Sequence, residues 1–355
     1  MAKKIIRLKD IAKLANVSVG TVDRVIHKRG EVSEDSYKKI MAIVEKTGYT
    51  PNLLARTLGS NKVIKIAAVI PDPEQDEYWK FSHDGILKAE KDWLQYSVQI
   101  KTYLFDLYDK ASFIKGVKAA VKAKPDGLLM APIFHNEAIE AAKLCEENNI
   151  RHVLFNNNLP ETNPLTFVGQ NLYESGQLGA ELLSISQKDP GTYAILHIYD
   201  DISNSTHLSE KEKGFRDYFK NLKGPKNKAI GIDLNFTHKK TLEKELNELF
   251  ATPDLRGLLV TTSKGASVVS TMLEKHGKNG IRLVAYDLLA ENITFLKKGI
   301  IDFLIDQNSK QQAYTGITHL ANFFLFKKQP PTALFALEII SRQNLNSYLA
   351  AKAQD

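Results

Sequence analysis

Two kinds of hydrophobic pattern divide the chain at about residue 62. The first part has apolar residues at helical spacing, namely Ile11, Ala12, Ala15, Val17, Val22 and Val25. From residue 63 onward, short apolar runs such as 63–70 alternate with longer helical patterns. Such alternation is typical of β-α-β units around a parallel sheet. The pattern therefore predicts a small all-α domain followed by a larger α/β part.

Residues 10–25 predict two short helices that are joined by a tight turn. Ser18 stands where an N-cap is expected, and the helix that it opens should run over 19–27. The second helix of a helix-turn-helix enters the major groove with its N-terminal residues at the base edges. A third helix is predicted over 34–46, with Ser33 as its N-cap and a buried stripe of Tyr37, Ile40, Ile43 and Val44.

The α/β part contains two successive sets of strands and helices. A strand at 166–168 is expected to open the second set, and a last strand is expected near 333–340. We expect a headpiece at 1–50, a linker at 51–62, a first lobe at 63–165 plus about 307–330, and a second lobe at 166–306 plus about 331–355. Two such lobes enclose a cleft, and ligands of open α/β sheets bind at the carboxyl ends of strands.

The positive charge of the chain is concentrated near its start. The net charge is +7, from 48 Lys and Arg against 41 Asp and Glu. Residues 1–62 hold 13 basic and 6 acidic residues, whereas the other 293 residues hold 35 of each. Lys and Arg gain free energy by displacing condensed counterions from phosphates, so this partition favours a nucleic-acid partner for the predicted headpiece.

Several other classes of protein are disfavoured by the sequence. Cys145 is the only cysteine, so an intramolecular disulfide or a thiolate metal cluster is not expected. Apolar runs stay well short of the ~20 residues that a membrane span needs, and no secretory signal is readable. The histidines lack metal-ligand spacing, and catalytic motifs are absent. We therefore expect a cytoplasmic protein without a cofactor or a metal, and not an enzyme.

Residues 8–59 resemble the lactose-repressor (LacI/GalR) family of bacterial transcription regulators. The resemblance rests on 8–18 (LKDIAKLANVS), on Thr21-Val22-x-Arg24-Val25-Ile26, and on Tyr49-x-Pro51-Asn52-x-x-Ala55-x-x-Leu58. The order of the later elements is similar to that of periplasmic sugar-binding proteins. The resemblance implies an all-α helix-turn-helix headpiece followed by a two-lobed, parallel-sheet α/β domain of the periplasmic-binding-protein type (type I).

The resemblance also implies which residues contact DNA. Val19, Gly20 and Arg24 would occupy base-reading positions, and Arg24 could pair with guanine O6 and N7. The phosphate contacts would come from Asn16, Ser18, Thr21 and Lys28. The linker would contribute Asn52, Ala55 and Leu58, with Leu58 as a wedge in the minor groove. Asp23 replaces a small hydroxyl residue, and either accepts from a cytosine amine or pairs with a nearby Lys or Arg.

In the α/β part the resemblance implies an effector site between the lobes. Its residues would be Asp76, Tyr78, Trp79, Asn156, Asn157, Lys211, Thr262, Asp287 and Gln307. Trp79 could instead belong to the core. Asn156 and Ser263 stand where relatives carry Asp, whereas Lys211 keeps a cation. Fewer carboxylates beside an ammonium group favour an acidic or phosphorylated sugar.

These expectations combine into a ligand-responsive regulator of carbohydrate-related genes. It would act as a homodimer, most simply as a repressor, on a pseudo-palindromic double-stranded operator. Regulation through a corepressor, or activation, remains an alternative, and a small-molecule receptor or an enzyme that uses the cleft is a more distant one. The residues after the last predicted strand are too few for an appended heptad helix, so a dimer is expected rather than a tetramer.

Overall fold

The structure is a computed structural model that describes most of the chain. The described residues are 8–26, 30–47, 63–185, 187, 189–198, 206–224, 226–235, 238–277 and 280–353, with the side chains of 206 and 207 left aside. The chain forms two compact units, Met1–Lys62 and Val63–Asp355. Each unit is described by itself below.

The described residues of the first unit form three short helices around one small core. They are α1 (Leu8–Ala15), α2 (Val19–Ile26) and α3 (Glu34–Thr47). Its buried side chains are Ile11, Ala12, Ala15, Val22, Val25 and Ile40. Tyr37 was predicted to be buried but is 43% exposed, because α3 turns only the side of Ile40, with Ile43 and Val44 beside it, toward the other two helices.

The second unit contains two six-stranded sheets. The strands of the first sheet are β1 (Ile64–Pro71), β2 (Val98–Phe105), β3 (Gly127–Met130), β4 (Arg151–Asn156), β5 (Thr166–Gly169) and β11 (Ala333–Leu334). Those of the second sheet are β6 (Thr192–Ile198), β7 (Lys228–Leu234), β8 (Leu255–Val260), β9 (Arg282–Tyr286), β10 (Phe303–Asp306) and β12 (Glu338–Ile340). All neighbouring strands are parallel except β10 and β12.

Helices cover the sheets and complete two lobes. The first lobe has α4 (Glu77–Trp93), α5 (Lys110–Lys122), α6 (His135–Glu147) and α12 (Ser309–Phe326). The second lobe has α7 (Leu172–Ser184), α8 (Thr206–Asn221), α9 (Lys239–Phe250), α10 (Ser263–His276), α11 (Ala290–Lys298) and α13 (Leu345–Lys352). Short 3₁₀ turns lie at Leu94–Tyr96 and Pro160–Thr162. No helix in the described part of the chain is long and apolar enough to cross a membrane.

The two sheets have the same topology. Their strand orders are β11-β5-β4-β3-β1-β2 and β12-β10-β9-β8-β6-β7, so β1 corresponds to β6, β4 to β9 and β5 to β10. The chain passes between the lobes three times: after β5, after β10, and between β11 and β12. Ligand-competent positions at the carboxyl ends of the strands therefore face one another across the cleft.

Two predictions about the lobe boundaries are corrected by the sheets. The strand at 166–169 does not open the second lobe, because it pairs in parallel with β4 of the first sheet. The single strand expected near 333–340 is two strands: Ala333–Leu334 pairs with β5, and Glu338–Ile340 pairs with β10. Strand pairing is a tertiary property, and the order of strands along the chain did not reveal either crossing point.

Candidate functional site

The turn between α1 and α2 is built from local hydrogen bonds. Asn16 has a positive φ of 53°, which asparagine tolerates better than most residues. Ser18 caps α2, because its Oγ accepts from the backbone N–H of Thr21 at 3.1 Å and lies 2.9 Å from the Thr21 hydroxyl oxygen. These contacts fix the start of α2, which is the predicted base-reading end.

The predicted DNA-contacting residues of α2 share one face. Val22 and Val25 are buried against α1 and α3, whereas Val19, Gly20 and Arg24 are exposed. Asn16 and Ser18 are exposed as well, and Thr21 is half-buried at the edge of the same face. The predictions for Lys28, Asn52, Ala55 and Leu58 lie outside the described residues, and the role of Asp23 stays a prediction.

In the second lobe, Asp287 lies at the centre of a buried polar cluster that follows β9. One of its carboxylate oxygens accepts from the backbone N–H of Gln307 at 2.9 Å. The other accepts from the Gln307 side-chain amide at 2.7 Å and from the Ser263 hydroxyl. Burial raises the pKa of Asp287 to about 6, with Asp306 adding to the rise and these hydrogen bonds opposing it. Both carboxylate oxygens are therefore already bonded to protein donors.

Lys211 of α8 places a buried ammonium group beside this cluster. Its Nζ donates to Gln307 Oε1 at 3.4 Å and lies 3.6 Å from the centre of the Tyr286 ring, a cation–π contact. The side chain is 2% exposed, and burial lowers the pKa of Lys211 to about 8 despite the opposing charge of Asp287. An ammonium group has three donors, so most of its hydrogen-bonding capacity remains for a ligand.

The first lobe presents an amide and a phenol, together with the capping carboxylate of Asp76, at the corresponding place. Asn156, at the end of β4, donates through its amide to the Tyr78 hydroxyl, and its backbone N–H donates to Gln312 Oε1 at 3.1 Å. Asp76 caps α4 by accepting from the Tyr78 backbone N–H at 2.9 Å. Burial raises the pKa of Asp76 and raises that of Tyr78 well above its usual value. Asp287 and Asp306 reinforce the shift at Tyr78, so this phenol faces the second lobe.

Three predicted effector residues have other surroundings than the sequence indicated. Trp79 is 4% exposed and packs edge-to-face against Phe155 in the core of the first lobe, which was its alternative interpretation. Asn157 turns away from Asn156 and lines a separate pocket near the lobe crossings. Thr262 is at the N-cap position of α10, where its hydroxyl donates to the Ile198 carbonyl at 3.4 Å.

The lobes touch at the mouth of the cleft. Lys264 Nζ, on α10, donates to the carbonyl oxygen of Gln75 at 3.2 Å, and the backbone N–H of Ala290 donates to Glu77 at 3.4 Å. These contacts connect the second lobe to the loop after β1. The cleft is therefore closed over Tyr78, Lys211 and Asp287.

Sequence reasoning missed several polar partners of the cleft residues. Gln312 connects the end of β4 to the segment after β10. Its side-chain oxygen accepts from the backbone N–H of Asn156, and its side-chain nitrogen donates to the Gln307 carbonyl at 2.6 Å. Asn292 is fully buried and donates to the carbonyls of Ser263 and Tyr286. A polar residue within an apolar helical pattern was the available signal, but its partners are distant in sequence. In the described part of the chain, no group of His, Cys, Asp and Glu side chains could hold a metal ion.

Comparison with known proteins identifies both units. A family model described as "Periplasmic binding protein domain" matches residues 66–328, and one described as "Bacterial regulatory proteins, lacI family" matches residues 7–52. The chain thus has a domain of the lacI family at its start, and most of its length belongs to the periplasmic binding protein domain family. The predicted family, the helix-turn-helix and the two-lobed α/β fold are thereby confirmed.

Curated relatives of the chain match it over part of their length. The HTH-type transcriptional regulator RegA of Clostridium acetobutylicum is 39% identical over 71 residues, which are 20% of this chain and 21% of that protein. The sucrose operon repressor of Streptococcus mutans is 28% identical over 213 residues, which are 60% of this chain and 62% of that protein. The matches thus span between about a fifth and three fifths of these relatives.

Solved structures share the fold of the larger unit of this protein. A Bacteroides fragilis protein described as a LacI transcriptional regulator has a TM-score of 0.74 at 24% identity, covering 81% of this chain and 100% of that chain. A solute-binding protein of an ABC transporter from Burkholderia graminis, solved in complex with D-arabinose, has a TM-score of 0.71 at 18% identity. The match covers 81% of this chain and 99% of that one.

Proposed function

We propose that the protein is a sequence-specific DNA-binding transcription regulator, acting as a repressor, whose DNA affinity is controlled by a small molecule in the cleft. The observation that carries the proposal is the capped, exposed first turn of α2 in a chain that also has a two-lobed ligand-binding fold. RegA and the sucrose operon repressor, by their names, regulate transcription. Such a protein would act in the cytoplasm, where the DNA is.

A homodimer on a pseudo-palindromic operator is part of this proposal. One headpiece exposes a single short reading helix, and a two-fold dimer doubles the number of base contacts by reading two half-sites. Effector binding would change the closure of the lobes and so alter the DNA affinity of the paired headpieces. A coupling free energy of about 1–3 kcal/mol is typical of such linkage.

The effector that we propose is a sugar derivative with an anionic group. Both oxygens of Asp287 are taken by protein donors, whereas the ammonium group of Lys211 has one long hydrogen bond and a ring contact. The second lobe therefore offers a ligand a cationic donor more readily than an acceptor. The Asn156 amide in the first lobe adds no opposing charge. An acidic or phosphorylated sugar fits this combination.

DNA binding is tested with an operator selected from a random library and with random duplexes of equal length. Arg24→Ala should weaken binding to the selected operator by about 1–3 kcal/mol and relax its sequence preference. Lys28→Ala should weaken binding to both kinds of DNA alike, since a phosphate contact carries no sequence information. Equal losses on both DNAs for Arg24→Ala would show that another residue reads the bases. Absence of any sequence preference in the wild type at moderate salt would refute the regulator itself.

The effector class is tested by thermal shift with D-glucuronate and D-glucose 6-phosphate against D-glucose. A ligand that prefers the folded state raises the melting temperature. We expect the anionic sugars to stabilise the wild type and to lose that effect in Lys211→Met, which keeps the length of the side chain without the charge. Lys213→Met, on the same helix, is the matched control. Stabilisation by D-glucose alone would contradict the anionic effector but would leave the DNA-binding proposal intact.

A further inference from the structure

A pocket of about 440 Å³ lies beside the lobe crossings, away from the Asp287–Lys211 cluster. The first lobe lines it with the 157–161 loop and with Leu334 of β11, and the second lobe with Tyr173 of α7 and Glu210 of α8. The volume is within the range of about 300–1,000 Å³ that is usual for small-molecule sites. Because both lobes form its walls, the shape of this hinge pocket depends on their relative orientation.

Gln170 lines the hinge pocket and connects all three crossings. It belongs to the first crossing, and its Nε2 donates to the carbonyl of Asp306 at 3.0 Å and to that of Ala336 at 2.8 Å, in the second and third crossings. The side chain is 4% exposed, yet its Oε1 has no hydrogen-bond partner among the described residues. A buried acceptor without a partner is unfavourable in the folded state.

The charges around the hinge pocket are of one sign. Glu161 and Glu210 contribute carboxylates, whereas the described residues that line it include no Lys, Arg or His. Glu161 lies 3.6 Å from His135, outside the lining. The remaining wall combines amides with apolar groups, including buried Leu159 and Phe167. Carboxylates together with side-chain amides favour a cationic ligand that is rich in hydrogen-bond donors.

We propose that the hinge pocket is a second small-molecule site, which binds a hydroxylated amine such as an amino sugar. The protonated amine would face the carboxylates, hydroxyl groups would bond to the side-chain amides of the wall, and the carbon skeleton would cover the apolar part. A ligand that contacts both lobes stabilises the lobe arrangement in which the pocket forms. The site differs from the cleft in the sign of charge that it accepts.

The experiment uses Asn158→Cys in the full-length protein. Asn158 is exposed at the rim of the hinge pocket, and the only native cysteine, Cys145, is buried with its thiol pKa raised to about 12, so background labelling is low. The Cys is labelled with cationic 2-aminoethyl or anionic 2-sulfonatoethyl methanethiosulfonate. Leu94→Cys, which is exposed at the end of α4, is the matched control for the reagents' intrinsic rates.

We expect the cationic-to-anionic rate ratio at Asn158→Cys to exceed that at Leu94→Cys by about fivefold or more. Glu161→Gln with Glu210→Gln should bring the two ratios together. D-Glucosamine should slow labelling at Asn158→Cys but not at Leu94→Cys, and D-glucose should slow it much less. Equal ratios at the two positions, or no protection by D-glucosamine, would overturn the proposal.

Lys211→Met separates this proposal from that of the effector cleft. In this variant the protection by D-glucosamine should persist, whereas stabilisation by D-glucuronate should be lost. If D-glucosamine protection disappears together with D-glucuronate binding, the amine occupies the cleft and the hinge pocket is not a separate site. If neither anionic sugar binds the wild type but D-glucosamine still protects, the effector assignment fails and the hinge pocket stands.

Discussion

The two lobes have one topology but different chemistry at equivalent positions. β4 ends in Asn156 and β9 is followed by Asp287, and both residues have a positive φ, 71° and 64°. Gln170 follows β5 just as Gln307 follows β10. In the first lobe the strand end bonds a phenol and an amide, whereas in the second it forms a charged cluster with Lys211 nearby. The repeated backbone sets where a ligand can be contacted, and the side chains decide which lobe supplies charge.

In each lobe two helices pack closely together at a glycine, at equivalent places in the two folds. Substitutions at these glycines test how similar the two lobes are. A Cβ at Gly85 of α4 would lie 2.0 Å from the Lys310 carbonyl oxygen, and one at Gly214 of α8 would lie 1.9 Å from that of Tyr173. Gly85→Ala and Gly214→Ala should each lower the free energy of unfolding by about 3 kcal/mol, because backbone atoms must separate. Urea denaturation measures the loss.

The matched control for the glycine prediction is Gly116→Ala in α5. A Cβ there meets its nearest neighbour at 3.8 Å, an ordinary contact. Alanine should therefore raise the free energy of unfolding by about 0.5–1 kcal/mol through its better helix propensity. If Gly85→Ala lowered the free energy of unfolding no more than this control, the helix contacts at Gly85 and Gly214 would not be equivalent.

Asn156→Asp makes the first lobe resemble the second. Aspartate tolerates the same positive φ, but its charge would lie beside Tyr78, a phenol already in the field of Asp287 and Asp306. Repulsion across the closed cleft should cost about 1–2 kcal/mol of stability at pH 7. The loss should be smaller at pH 4.5, where carboxylates are partly protonated.

Asn163→Asp is the control for that substitution. Asn163 also has a positive φ, 49°, but it is exposed in the loop before β5. Its replacement should change the free energy of unfolding by no more than about 0.5 kcal/mol. Equal changes in the free energy of unfolding at residues 156 and 163 would mean that the carboxylates of the second lobe do not repel a charge at residue 156.

The pH dependence that Asp287 contributes is a further test of the charge in the second lobe. Its pKa is about 6 in the folded protein, above its ordinary value of 3.8. A raised carboxyl pKa stabilises the fold below pH 4, and that contribution is lost as the pH rises through 6. The stability of the wild type relative to Asp287→Asn should therefore fall by roughly 2–3 kcal/mol between pH 4 and pH 7.

Denaturation of both proteins at pH 4, 5, 6 and 7 measures this difference. Because asparagine tolerates the same positive φ as aspartate, backbone strain should cancel in the comparison. A relative stability that rises with pH would mean that the charged form of Asp287 is favoured in the folded state. The negative charge of Asp287 would then stabilise the second lobe instead of lowering its stability.

Much of the local structure could be predicted from the sequence. Ser18 and the 3.6-residue period of Ile11, Ala15, Val22 and Val25 predicted two helices and their turn, because capping and helical amphipathicity depend on neighbours along the chain. The apolar run at 63–70 predicted the first strand, which is observed at 64–71, since continuous apolar runs are typical of parallel strands that are covered on both faces. The family resemblance singled out Asp287 and Gln307 as effector residues, and each directly follows a strand of the second sheet.

Other features depend on contacts between distant segments. Trp79 and Tyr78 are adjacent on one helix, yet one packs on Phe155 and the other faces the cleft. Strand 166–169 belongs to the first sheet only because β4 and β11 flank it. Gln170 is one amide among many in the sequence, and its partners are 136 and 166 residues away.

The sequence by itself determined the helix-turn-helix, the partition of basic charge and the alternation of strands and helices. These follow from capping, periodicity and composition, which are properties of neighbouring residues. Only the tertiary structure decided that both carboxylate oxygens of Asp287 accept hydrogen bonds from protein donors. It also decided that the Lys211 ammonium group donates only one long hydrogen bond among the described residues. The physical reason is that hydrogen-bond satisfaction and burial are set by groups that the fold brings together from different strands and helices.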